Sequence, residues 1–176
     1  DALISKTILM DEKSKYVYLI CEMEKEVKLN GASLKVKGFP YMQQDGRIAA
    51  CAQITIRLLS QYLSWKNGKS KSFTAPQITE FVKDMAAPLA EPLRNIPTSG
   101  LHVPQMKAAM AHLDCDPIIY DYTFAKEEKL LVDCPEQIIY RYLESGLPVI
   151  VVINTAEGRH ALVVVGHTFN PDFWWS

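Results

Sequence analysis

Between residues 16 and 21 the chain reads Tyr-Val-Tyr-Leu-Ile-Cys, an aromatic and β-branched run that predicts a strand. Residues 26–29 and 33–37 then alternate polar and apolar side chains on either side of Asn30-Gly31, a dipeptide suited to the two-residue turn of a β-hairpin. Gly38-Phe39-Pro40 interrupts the alternation, and regular structure is expected to stop there.

The period changes after residue 51. Apolar residues at 54, 58, 62 and 65, and again at 52, 56, 59 and 63, predict a helix over 51–65 that is apolar on two sides and largely buried. Asn67-Gly68 ends it. A second helix is expected over 75–85 behind Thr74 as its cap, then a proline-rich irregular stretch over 88–97. An amphipathic helix over 104–113 is opened by Pro104. Residues 117–122 predict a strand, and 135–144 a helix closed by Gly146. Residues 147–153 and 161–165 predict two apolar strands joined by a polar turn over 154–159. Strands, then helices, then strands is the order of an α+β domain with helices packed on an antiparallel sheet.

Composition changes this picture little. A chain of 176 residues buries about 70% of its unfolded surface as one domain. Its formal charge is −1, and the one basic cluster, 66–71, is diluted by Gly68 and Ser70, so no nucleic-acid surface is expected. The longest apolar run, 148–153, is far below the roughly 20 residues of a membrane-spanning helix. Cys21, Cys51, Cys115 and Cys134 form neither a CxxC pair nor a disulfide ladder, and no signal peptide is visible. A cytoplasmic compartment is therefore slightly favoured, although a chain opening on Asp1 leaves room for a removed leader. His102 and His112 lie too far apart to be a zinc pair on one helix, and no metal or organic cofactor is implied.

Chemistry enters with Cys51, at the start of the buried helix, and His160, at the start of the last strand. A thiol attacks a carbonyl only as its thiolate, and a free cysteine with a pKa of about 8.5 is mostly protonated at neutral pH. The N-terminus of a helix carries partial positive charge, and an adjacent imidazole can hold the thiol proton; both would activate Cys51. The backbone N–H of Cys51 offers one oxyanion donor, and the side-chain amide of Gln44 or Gln43 a second. Each residue also has a plainer reading: a buried small hydrophobe for Cys51, a strand-edge histidine for His160, a polar loop for Gln43 and Gln44. His167 lies seven residues beyond His160 and would face the other side of a regular strand, outside the cleft. His102 reads as an exposed loop histidine.

Gln44, Cys51 and its helix, then Gly146-Leu147-Pro148 with an apolar strand, then His160-Ala161-Leu162-Val163-Val164-Val165-Gly166 form a paired pattern. It resembles the papain-like cysteine peptidases, in particular the bacterial peptidases that process double-glycine leaders. The resemblance runs over 40–168. It implies a papain-like fold in which a central helix carrying the cysteine packs on an antiparallel sheet, with residues 1–39 as an N-terminal β-hairpin extension to a peptidase domain over 40–176. It also implies Cys51 as nucleophile, His160 as general base and acid, and Gln44 as oxyanion donor. Gln44 stands seven positions before Cys51 where the family has six, Asp45 fills the six-back place, and Ala52 replaces a common Gly. The family's third residue, an Asn or Asp that orients the imidazole, has only Asn170 and Asp172 as candidates here; it is expected beyond Ser176 if neither serves.

The implied reaction is acyl transfer through a thioester on a peptide or protein substrate, with hydrolysis if water resolves it. Acyltransferases of the transglutaminase or transpeptidase kind use the same Cys and His logic. A catalytically silent papain-like domain that binds a peptide or protein partner is the alternative from another class, and a regulatory piece of a larger protein is a further one. The pattern carries no information on oligomeric state.

Overall fold

The computed structural model describes residues 2–5, 16–43, 51–68, 72–83, 85, 100–122, 134–156 and 158–169. In chain order the elements are β1 (Ala2–Ile4), β2 (Tyr16–Leu19), β3 (Met23–Leu29), β4 (Ala32–Tyr41), α1 (Cys51–Lys66), α2 (Ala75–Glu80), α3 (Val103–Ala111), α4 (Pro135–Glu144), β5 (Val149–Thr155), β6 (Gly158–Val164) and β7 (Gly166–Phe169). The architecture is α+β: antiparallel sheets with a helix packed on them. No helix among the described residues is long and apolar enough to cross a membrane.

The strands form one three-stranded sheet, β1-β4-β3, and two pairs, β2-β7 and β5-β6. Asn30 (φ 49°) and Gly31 (φ 82°) turn β3 into β4 with left-handed backbone at both positions, as a type I′ turn requires. Contrary to expectation, β4 continues through Gly38-Phe39-Pro40. The reason is a remote partner: β1 pairs with that end, Ile4 opposite Phe39 and Leu3 opposite Pro40. Gly38 is needed there, because a Cβ would stand 2.5 Å from the Ile4 carbonyl oxygen. Residues 117–122 are not a strand; no ladder holds them among the described residues, and Ile118 is 68% exposed. β propensity that finds no pairing partner makes no strand.

Helix α1 is apolar on two sides because it lies between two cores. On one side Ala52, Ile56 and Leu59 pack with Ile78 and Val82, with Met106, Ala109 and Met110 of α3, and with Ala161 of β6. On the other, Tyr62 packs with Leu19, Cys21, Phe39 and Leu143. Helices α2 and α3 open alike, on Thr74-Ala75-Pro76-Gln77 and His102-Val103-Pro104-Gln105. In each, the glutamine Oε1 accepts the N–H of the capping residue at 2.9 Å, and a proline occupies the first turn where no N–H is required. Helix α2 ends at Glu80, earlier than its apolar pattern predicts, and continues as a turn over 81–83.

The expected strand over 161–165 is two strands. Val165 separates β6 from β7, and its carbonyl accepts N–H groups from both Ile20 (3.1 Å) and Cys21 (2.9 Å). The chain thereby leaves its ladder with β5 and enters one with β2, Gly166 opposite Leu19. A Cβ at Gly166 would collide with the Tyr18 backbone.

Candidate active site

Cys51 and Thr55 stand one turn apart on α1 and share a face. That face lies along β6. The Thr55 hydroxyl donates to the Ala161 carbonyl at 3.0 Å, and the Cys51 thiol points to the Arg159 carbonyl at 4.0 Å. Carbonyls two residues apart on a strand leave the same edge. These two leave the edge of β6 that β5 does not use, so the helix start covers that edge. Between them is His160, opposite Ile153 of β5 and half-buried.

A peptide nitrogen lies a little over 2 Å from the preceding carbonyl oxygen, which places the Cys51 sulfur within about 6.5 Å of the His160 backbone nitrogen. Thiol and histidine, 109 residues apart in sequence, are therefore neighbours. They are not hydrogen-bonded to each other: the thiol's partner among the described residues is the Arg159 carbonyl, at a distance that makes a weak contact. Strand alternation puts the His160 side chain on the face opposite Ala161, whose methyl is buried in the first core.

The remaining expected site residues fall differently. Gln44, Asn170 and Asp172 lie outside the described residues. Gln43 is exposed just beyond β4. His102 is a helix cap, with its backbone N–H bound to Gln105. His167 is separated from the site by the break at Val165 rather than by alternation along one strand. It belongs to the β2-β7 ladder, opposite Tyr18, with Nε2 2.8 Å from Glu144 Oε1. Its ring stacks on Tyr18 (centroids 5.2 Å apart) and meets Tyr140 edge-on (5.1 Å).

Two residues of this helix start were missed in the sequence, one of them on the face of the site. Thr55 ties the helix to β6; its position four residues after Cys51 was the available signal. Gln53 is 2% exposed, and its Oε1 has no hydrogen-bond partner among the described residues. A glutamine flanked by Ala52 and Ile54 in an apolar helix is the trace it leaves in the sequence.

None of the four cysteines is in a disulfide; Cys21 is buried, Cys51 and Cys115 are half-buried and Cys134 is exposed. Burial pushes the Cys21 thiol up, against a smaller opposing effect of its hydrogen bond with Tyr62. Burial likewise pushes the Tyr62 phenol up to about 12, with the Cys21 neighbour adding to it. No group of three or more His, Cys, Asp or Glu among the described residues could hold a metal ion.

No family model matches this chain, and neither the curated proteins nor the solved structures contain a significant match to it.

Proposed function

We propose that this chain is a papain-like cysteine-nucleophile domain that cleaves a peptide or amide bond through a thioester on Cys51. The observation that carries the reading is the seating of Cys51 and Thr55, from one helix face, on the two carbonyls that flank His160. In the reaction the His160 imidazole takes the thiol proton, and the thiolate adds to the substrate carbonyl carbon. The oxyanion is held by the Cys51 N–H and the Gln44 amide, and the proton passes to the departing amine as the C–N bond breaks. Water then attacks the thioester with His160 as base, and the carboxylic acid and free thiol are released. Asp172 or Asn170 orients the imidazole in this scheme. The scheme requires imidazole and sulfur to meet once substrate displaces the thiol from the Arg159 carbonyl.

That same carbonyl contact favours a second reading, a catalytically silent domain of this fold that binds a peptide or protein partner. An acyltransferase differs only in an amine replacing the water.

The rate of Cys51 alkylation by iodoacetamide against pH separates the two classes. It is followed by peptide mass mapping in a Cys134→Ser background, because Cys134 is exposed. A rate that stays high down to about pH 6 and falls in His160→Ala supports the enzyme. A rate that rises only near pH 8.5 and ignores the substitution overturns it and leaves the binding domain.

A further inference from the structure

The β3-β4 hairpin has two unlike faces. Met23, Lys25, Val27 and Leu29 share one with Gly38, Val36, Leu34 and Ala32. Val27, Leu29, Leu34 and Val36 are all more than a third exposed on it. The other face is charged: Glu24, Glu26 and Lys28 stand opposite Lys37, Lys35 and Ser33. There Glu24 and Lys35 form an ion pair at 2.8 Å, and the Ser33 hydroxyl donates to Glu26. Strand β3 is the edge of its sheet among the described residues.

The open edge has a defined chemistry. The two-residue turn makes Leu29 and Ala32 the pair that exchanges both hydrogen bonds, and the pattern alternates from there. Leu29, Val27, Lys25 and Met23 therefore spend their backbone groups on β4. Lys28, Glu26 and Glu24 turn their N–H and C=O outward. A strand added to this edge must place its own outward groups opposite those three.

A second copy of β3 meets that condition in few registers, and charge separates them. With a two-fold axis at Glu26, Glu24 faces Lys28 of the second copy but Glu26 faces its own equivalent. Moving the axis to Lys25 sets Glu24 against Glu26, and moving it to Lys28 sets the two lysines against each other. With the axis at Val27, Glu26 faces Lys28 of the second copy and Lys28 faces Glu26, with no like pair between them. The Val27 side chains then meet on the apolar face, and each Leu29 lies beside the aliphatic stem of the other copy's Lys25.

The register points to a homodimer in which β3 pairs antiparallel with β3 of a second copy about an axis through Val27, joining two three-stranded sheets into one of six strands. This inference is independent of the chemistry at Cys51. Alternating charge on an edge strand ordinarily repels additional strands; here the same alternation is self-complementary when the strand is reversed about Val27.

The test is sedimentation equilibrium of the full chain, alone and in mixture. Glu26→Lys and Lys28→Glu each turn both charged rungs into like pairs, and each is expected to weaken self-association by about 10- to 30-fold. Mixed together, the two variants restore opposite charges at both rungs, and a heterodimer of wild-type affinity is expected. Recovery in the mixture also shows that neither variant is unfolded. A wild-type chain that stays monomeric at its highest soluble concentration overturns the proposal. So do single variants that still dimerise as the wild type does, which would place the contact on another surface, and a mixture that fails to associate.

Discussion

The two ends of α1 use the same device to opposite effect. At its C-terminal end the Tyr62 hydroxyl (3.0 Å) and the Lys66 ammonium (2.5 Å) both donate to the Gly146 carbonyl. Lys66 also reaches the Ser145 carbonyl at 3.4 Å. These carbonyls lie in the turn just past the C-terminus of α4, where a cation is favoured and where Gly146 (φ 68°) lets the chain turn back toward β5. At its N-terminal end Thr55 makes one good bond to β6, and the thiol of Cys51 makes a long one. One end is a closed clamp of large side chains; the other holds a strand with one hydroxyl and leaves a thiol weakly engaged beside a histidine. The C-terminal half of α1 ties down the turn that leads from α4 to β5, and the N-terminal half holds β6 by fewer bonds.

That contrast can be broken from either end. The largest effect is expected from Tyr62→Ala, which truncates a ring 3% exposed in the second core and removes half of the clamp. Urea unfolding should report a loss of about 3–5 kcal/mol. Thr55→Val is isosteric but leaves the Ala161 carbonyl without its buried donor, a loss of about 1–3 kcal/mol. Because it loosens β6 beside Cys51, it should change the Cys51 alkylation rate, whereas a clamp variant such as Lys66→Ala should leave that rate alone. The mildest perturbation is alkali. Tyr62 has its folded pKa raised to about 12 above an ordinary value near 10, so above pH 10 the unfolded chain sheds a proton that the folded one keeps. Its contribution is complete below about pH 10 and is lost as pH rises through 12. Urea midpoints taken between pH 9 and 11 should fall in the wild type, with a shallower slope in Tyr62→Phe.

Local elements with an internal cause were legible before the structure. The two apolar sides of α1, the Asn30-Gly31 turn and the Gly146 helix stop all follow from side chains acting within a few residues. Strand partners were not. Phe39-Pro40 reads as a break until Ala2–Ile4 pairs with it, and residues 117–122 read as a strand but pair with none among the described residues. Of the site, Cys51 and His160 stood out by residue type and position. Thr55 did not, because a threonine in a buried helix carries no sign of which carbonyl it will reach.

Periodicity, turn chemistry and caps act over one or two turns of chain, so composition and order alone yield an α+β protein with a buried helix that starts on a cysteine. Which sheet edge each strand takes, where β6 gives way to β7, and the approach of Cys51 to the Arg159-His160 peptide depend on contacts between segments distant in sequence, in the last two cases more than a hundred residues apart. Such contacts are settled by which edges and faces remain open once the cores have packed, and a single strand's pattern does not name its neighbour.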